Sequence, residues 1–462
     1  MQGHPIGSSI SKACYAGRSP QAGAGAQRPE LATVWGPRDN LPVGEDCLTL
    51  NVWTPALDTA KRPVMVWLHG GAFSYGSANS PWYGGSSLTR RNDIVVVSVN
   101  HRLNIFGHLD LSGTGDERFA ASGNAGVLDL VAALAWVREH AARFGGGKVS
   151  ALLAMPSAKG LFHKAIMQGG ASVRFAERAR TTRLADAVLK QLELGPHPSR
   201  GQLDALQALP IARLTETIAP AQKTLPPARN ALLDRYNFGP VIDGQVLPAD
   251  PFDPAATALS DGTPVTMGGT KDESAIFLAP DDAVWNRTLS EEELRKRIAT
   301  IAGDATDSLV AYYKRRDAAA TPADLLITGL TAANFQVPST VLAERKAQRG
   351  KAAVWMYRFD WETPAFGGRL KSPHSMDVPF VFDTLGVIGE PHRKPHAQDL
   401  ADRVSATWAS FARNGDPGNK SIPAWPAYTA DKRATMVFND QCQVAGDPDV
   451  EARPLWSKIA TS

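Results

Sequence analysis

The residues whose types and spacing suggest chemistry begin at His69-Gly70-Gly71-Ala72-Phe73, which follows the apolar, strand-forming run Arg62-Pro63-Val64-Met65-Val66-Trp67-Leu68. Two adjacent glycines let a strand end turn with positive φ, so that successive N–H groups aim at one developing negative oxygen. Standing alone, such a pair is more often a plain turn, because glycine punctuates strand ends everywhere. Two further groups could move a proton. Glu273 ends the run Lys271-Asp272-Glu273 after the strand-like Thr263 to Gly268, and His374 lies in the proline-flanked loop Ser372-Pro373-His374-Ser375. By themselves a glutamate in such a run and a lone loop histidine read as solvated surface residues.

Their neighbours change that reading. Glu45-Asp46-Cys47-Leu48-Thr49-Leu50-Asn51-Val52-Trp53-Thr54-Pro55 lies upstream of the glycine pair, and Asn100-His101-Arg102-Leu103 follows the apolar strand Ile94 to Val99. Then come Gly123-Asn124-Ala125-Gly126-Val127-Leu128-Asp129, Phe238-Gly239-Pro240-Val241-Ile242-Asp243-Gly244 and Gly269-Thr270-Lys271-Asp272-Glu273. Trp408 to Pro417 and Trp425-Pro426-Ala427-Tyr428 close the series. In order and spacing these motifs resemble the type-B carboxylesterases, the branch of the α/β-hydrolases that includes cholinesterases and bacterial p-nitrobenzyl esterases. The likeness runs from about Cys14 to Trp456. It implies an α/β-hydrolase fold: a mostly parallel central sheet, helices on both faces and a helical cap. It also implies acyl transfer by an activated serine, a histidine that moves its proton and a carboxylate that orients the imidazole. On that likeness Glu273 takes the place of the triad acid, His374 that of the general base, and the N–H groups of Gly71 and Ala72 those of the oxyanion donors.

The nucleophile has no counterpart. It should stand in a G-x-S-x-G turn between a strand and a helix, where small flanking residues permit the strained geometry that lifts the serine above the sheet. No serine in the chain has glycine at both flanking positions; Gly170-Ala171-Ser172 and Gly76-Ser77 each lack the second glycine. Instead the chain passes from Phe144-Gly145-Gly146-Gly147 directly into Lys148-Val149-Ser150-Ala151-Leu152-Leu153-Ala154-Met155-Pro156, which looks like the helix that normally follows the nucleophile. The nucleophile strand and its turn are thus expected to be missing, as in an in-frame excision, and with them a third oxyanion donor. A central strand of a parallel sheet buries both faces. Losing four or five apolar side chains at ~1.5–3 kcal/mol each removes roughly 6–15 kcal/mol, against a whole-domain stability of about 5–15 kcal/mol. The flanking strands must close the gap or stand as unpaired edges.

The elements that position these residues read as follows. Asn124 to Phe144 carries Val127, Leu130, Val131, Leu134 and Val137 at helical spacing. His163 to Gln168 and Ala353 to Phe359 are strands, and Val404 to Arg413 is a C-terminal helix. Segments at about 175–235 and 280–350 mix helical periodicity with proline breaks and read as cap and outer helices, so residues 1–462 are expected to form one domain, short at its front. No internal repeat is evident.

Composition narrows the classes. Lys and Arg number 49 against 46 Asp and Glu, a net of +3 with no basic tract, so nucleic acid is not an expected partner. No uninterrupted apolar run approaches the ~20 residues of a membrane helix, and the N-terminus lacks the basic start and apolar core of a signal peptide. No membrane association is expected; compartment and oligomeric state are not legible. By the likeness Cys14 and Cys47 are a candidate disulfide, with two reduced thiols as the alternative. His69 and His101 beside strand ends could suggest a metal pair, but no third ligand falls at suitable spacing; neither metal nor cofactor is expected. Trp82-Tyr83 reads either as pocket lining or as a packed loop, and Arg102 with Glu45 as a structural ion pair. Three functional readings follow. The chain is a carboxylic ester hydrolase by descent, acting on small esters if active but impaired by the missing serine; or a non-catalytic cholinesterase-like binding module; or an intact esterase whose sequence was recorded with a gap. Retention of Gly70, Gly71, Glu273 and His374 favours the first over the second.

Overall fold

The computed structural model of the chain describes residues 13–14, 31, 43–138, 147–226, 238–388, 394–446, 448 and 451–460. Ten strands form among them: β1 Ala13–Cys14, β2 Val43–Gly44, β3 Leu50–Trp53, β4 Val64–Leu68, β5 Val95–Val99, β6 Ala165–Gln168, β7 Val265–Thr270, β8 Val354–Phe359, β9 Ala434–Phe438 and β10 Gln443–Gly446. They are ordered as three sheets: β1-β2, β3-β5-β4 and β10-β9-β8-β7-β6. β4 runs parallel to β5, and β6 through β9 are mutually parallel. The outer strands β3 and β10 are antiparallel to their neighbours.

The strands are apolar because both of their faces are covered. All five residues of β4 are buried, and alternate side chains enter opposite cores, as a period of two requires. Val64, Val66 and Leu68 join Ala165 and Met167 in one cluster, while Met65 and Trp67 join Ile166 and Trp355 in the other. The first cluster is roofed by the helices Ala125–Arg138 and Gly147–Ala154, the second by Ala397–Asn414, whose Leu400, Val404, Trp408 and Phe411 face inward. The mostly parallel sheet with helices on both sides is therefore as expected. The C-terminal helix is longer than its sequence pattern suggested, because His396 and Gly415, both at positive φ, set its ends. In the two expected cap regions, Arg178–Gln191 to Ile218–Lys223 and Asp282–Trp285 to Val337–Gln348 are helical and carry small cores of their own.

The sheet is interrupted where the nucleophile strand was expected. Among the described residues β4 and β6 do not pair with each other, and each ends its own sheet. Beside them Val149 and Leu152 of the helix Gly147–Ala154 line, with Leu68 at the end of β4, Ala165 at the start of β6 and Leu134, a cavity of ≈ 20 Å³. Residues 139–146, immediately before that helix, lie outside the described residues.

Several local readings are settled by packing. Arg102 pairs not with Glu45 but with Asp129, through Nη2–Oδ1 at 2.7 Å and Nε–Oδ2 at 2.9 Å, because the helix Ala125–Arg138 brings that carboxylate under the turn after β5. Trp82 is buried, and the Tyr83 ring packs tilted against Trp67 with centroids 5.3 Å apart, so this pair belongs to the core and not to an open pocket. Cys47 is disulfide-bonded and Cys442 is free; the backbone of Cys14 pairs with Gly44, three residues before Cys47. Two helical stretches, Glu117–Arg138 and Pro322–Gln348, are long and apolar enough to cross a membrane by length and composition. Val127, Leu130 and Leu134 of the first and Leu325 and Leu326 of the second are committed to the cores.

Candidate active site

Glu273 and His374, 101 residues apart in sequence, meet at the C-terminal ends of β7 and β8. The strand β7 ends at Thr270, and the turn that follows folds Glu273 back so that Thr270 N–H donates to its Oε1 at 2.7 Å. Its other oxygen, Oε2, takes a short hydrogen bond from Nδ1 of His374. The carboxylate is fully buried, whereas 20 % of the histidine side chain is exposed. Burial pulls the imidazole pKa down, but the charge and hydrogen bond of Glu273 override this, and it lies above its ordinary value of 6.5. A carboxylate bonded to Nδ1 fixes the tautomer and orientation of the ring and leaves Nε2 to handle a proton.

Phe277 and Phe335 flank the imidazole, each with its ring 5.3 Å away. Phe335 is presented by the single π turn Ala332–Gln336, which interrupts the long helix there. Gly269 is required for close approach, since a Cβ at this position would lie 2.3 Å from Glu273 Oε1. Gly169, at φ +56°, ends β6 directly beneath the pair; a Cβ there would lie 3.1 Å from His374 Cε1. Gly269→Ala is accordingly expected to expel the Glu273 carboxylate from its seat, at a cost of about 1–3 kcal/mol. A thermal unfolding midpoint lowered together with a His374 NMR titration midpoint would bear this out, and an unchanged His374 midpoint would refute it.

A second carboxylate, which the sequence did not single out, completes the surroundings. Asp377 accepts from Gln168 Nε2 at 3.0 Å and from the Tyr357 hydroxyl at 2.8 Å, while Trp408 Nε1 donates to Gln168 Oε1 at 3.0 Å. Burial, and then the nearby charge of Glu273, raise its pKa. These partners come from β6, β8 and the helix Ala397–Asn414. Only the i+3 spacing of Asp377 from His374 could have drawn attention to it.

The glycine loop lies at the end of β4. Gly71 has φ +102° and Ala72 φ +50°, and a Cβ on Gly71 would strike Tyr75 O at 2.0 Å. Ser74 N–H and Tyr75 N–H both bond to Gly71 O, at 3.1 and 3.2 Å, closing a tight turn. The N–H groups of Gly71 and Ala72 have no acceptor among the described residues. Gly70 and Ala72 are exposed. Beneath the loop, His69 and His101 stack at 5.0 Å, with His108 also buried. Each Nδ1 contacts a backbone carbonyl, of Gly70, Arg102 and Gly123 respectively, and each Nε2 is buried without a partner. Burial above all keeps the three imidazoles neutral, with His69 and His108 lowered to about 3. Among the described residues no group of three His, Cys, Asp or Glu side chains is arranged to hold a metal.

Of the serine fragments, Ser77 is buried and accepts from Asn79 N–H at 3.1 Å. Ser150, in the helix Gly147–Ala154, is buried, donates to Met167 Sδ at 3.3 Å and accepts from Ser172 N–H at 3.1 Å. Among the described residues no hydroxyl is hydrogen-bonded to His374.

Comparison with known proteins identifies the family. The sequence profile of the carboxylesterase family matches residues 9–453. The para-nitrobenzyl esterase of Bacillus subtilis is 34% identical over 428 residues, covering 88% of this chain and 82% of that protein. The phenmedipham hydrolase of Pseudarthrobacter oxydans is 31% identical over 462 residues, covering 94% and 86%. The crystal structure of a Geobacillus stearothermophilus carboxylesterase superposes with a TM-score of 0.77 at 34% identity, covering 91% of this chain and 87% of that one. With an α/β-hydrolase sheet, a buried glutamate on a histidine and this extent of likeness, the chain belongs to the carboxylesterase family.

Proposed function

We propose that this chain is a carboxylesterase that keeps its family's acid–base pair and oxyanion loop but lacks an activated serine, and so binds small carboxylic esters without turning them over by serine acyl transfer. Glu273 and His374 are its acid and base, and Gly71 and Ala72 its oxyanion donors. The observation that carries the reading is the interruption of the sheet between β4 and β6, in a sequence without any G-x-S-x-G turn. A nucleophile must stand within hydrogen-bond reach of its base. His374 has the acid on one nitrogen and, among the described residues, no hydroxyl on the other. One relative is named a para-nitrobenzyl esterase, which makes esters bearing an aromatic ring the class to try first.

The test is labelling of the purified chain with a fluorophosphonate, which reports any activated serine whatever the natural ester. No adduct is expected by intact mass, under conditions in which an intact family esterase is fully modified. A stoichiometric adduct mapped to one serine would overturn the proposal and identify the nucleophile.

A further inference from the structure

Phe335, which flanks the His374 imidazole, also lines a cavity of ≈ 110 Å³ that the chemistry above does not use. Gly268 and Gly269 of β7 and Met356 of β8 line it from the sheet, and Val337 and Val341 from the helix Val337–Gln348. Tyr313 and Trp456, both buried, complete an aromatic wall with Phe335. Trp456 Nε1 donates to the Tyr313 hydroxyl at 2.9 Å, which satisfies the indole N–H within the wall. Apolar cavities of ~150 Å³ stay dry and take up benzene. One polar group breaks the apolar pattern here. Thr270, 1% exposed, also lines the cavity, and its hydroxyl has no hydrogen-bond partner among the described residues. Its main-chain N–H is already committed to Glu273. A buried hydroxyl left without a partner costs stability, and a molecule entering the cavity can supply one. Of the charged side chains at the cavity, Arg433 is balanced by Glu344 at 2.9 Å and Arg358 by Asp360 at 2.6 Å, and Arg453 lines it as well.

We propose that this cavity is a binding site for a small neutral aromatic alcohol of about the size of phenol. The ring occupies the apolar volume against Phe335, Tyr313 and Trp456, in the offset or edge-on contacts that aromatic pairs favour. Its hydroxyl shares a hydrogen bond with Thr270 Oγ1, which gives that buried group its missing partner. A neutral ligand suits the site better than an anion, because the guanidinium groups of Arg433 and Arg358 already hold carboxylates. Since Phe335 belongs to both places, occupancy of the cavity is felt at His374. The site does not depend on the missing serine, so a fluorophosphonate adduct would leave it standing.

The experiment titrates the full chain with phenol, toluene and benzoate by calorimetry. Phenol should bind at one site with a Kd of about 0.1–1 mM, the range open to a ligand of so few atoms. Toluene, nearly the same shape but without the hydroxyl, is the reference for the hydrogen bond, and benzoate should bind more weakly than phenol. Thr270→Val keeps the shape of the side chain and removes its hydroxyl; it should weaken phenol relative to toluene by about five-fold to ten-fold, the net worth of one buried hydrogen bond. Val341→Phe, which fills the cavity, should abolish binding of both. Saturating phenol should also move the His374 ring-proton signals of the parent, a location test that holds even if the Val341 variant does not fold. No saturable phenol binding, a phenol-to-toluene ratio unchanged in Thr270→Val, tighter binding of benzoate, full binding in a folded Val341→Phe, or His374 signals that stay fixed at saturation would each overturn the proposal.

Discussion

Insertion of a five-residue apolar strand followed by a G-x-S-x-G turn, placed between Gly146 and Gly147, is expected to convert this chain into a working esterase. The added strand would lie between β4 and β6, which at present end separate sheets, and would present its serine near His374 at the tops of the strands. In a working serine triad, loss of the serine costs about 10⁶-fold in kcat. A gain of at least ~10³ in p-nitrophenyl acetate hydrolysis over the parent is therefore the threshold for success, since an imperfectly seated strand still benefits from oxyanion donors already in place. The same insertion with alanine for the serine separates chemistry from folding. Both inserted chains should share one thermal midpoint, because they bury the same strand and differ only at an exposed turn residue, so equal midpoints show that any difference in rate is chemical. If the serine version folds yet hydrolyses no faster than its alanine control, then want of a serine is not what limits this chain and the function proposed above fails.

The second large effect concerns stability alone. Lys148→Met is expected to stabilise the protein near neutral pH and to lose that advantage in alkali. Lys148 is buried with its Nζ on the carbonyl of His69, and the resulting drop of its pKa from 10.5 to about 7 corresponds to roughly 5 kcal/mol that folding forfeits at and below pH 7. In that range the unfolded lysine holds a proton that the folded one sheds or keeps only at a cost. As pH rises from 7 towards 10.5 the unfolded state also loses its proton, so the penalty fades and parental stability increases. Methionine fills similar volume and avoids the penalty, but it gives up the bond to His69 O, worth about 1–3 kcal/mol. A net gain of about 2–4 kcal/mol is expected at pH 7 and a small loss above pH 10.5. Chemical denaturation of both proteins at pH 7 and pH 10.5 measures this directly. A difference independent of pH would mean that Lys148 does not titrate in this range.

The elements around the site were legible for a plain reason. Strands buried on both faces read as unbroken apolar runs, and Val64–Leu68, Val265–Thr270 and Val354–Phe359 each lie within two residues of where such runs suggested them. Glu273 and His374 were visible only through likeness of ordered motifs, because nothing in Lys-Asp-Glu or Pro-His-Ser distinguishes a buried pair from two loop residues. Gln168, Tyr357, Asp377 and Trp408 were not legible as a network: their bonds exist only after β6, β8 and a late helix have packed together. Lys148 was hidden differently. A lysine in the opening turn of a helix ordinarily faces solvent, and its burial follows from how that helix packs against the sheet, which brings Nζ to the carbonyl of His69. Arg102 was assigned the wrong carboxylate because sequence proximity to a motif, Glu45, was preferred to Asp129, which a helix carries into reach.

The divided sheet also has a mechanical meaning. The glycine loop proposed to hold charge hangs from β4, while the Glu273–His374 pair proposed to move a proton sits at the ends of β7 and β8. In the described structure no ladder of main-chain hydrogen bonds crosses from one set to the other, and side-chain packing spans the seam. The two halves of the apparatus are thus fastened to separate frames. Amide exchange in β4 and β6 should report the seam as the place where the molecule yields first, so that the spacing on which acyl transfer depends becomes a soft coordinate instead of a fixed one.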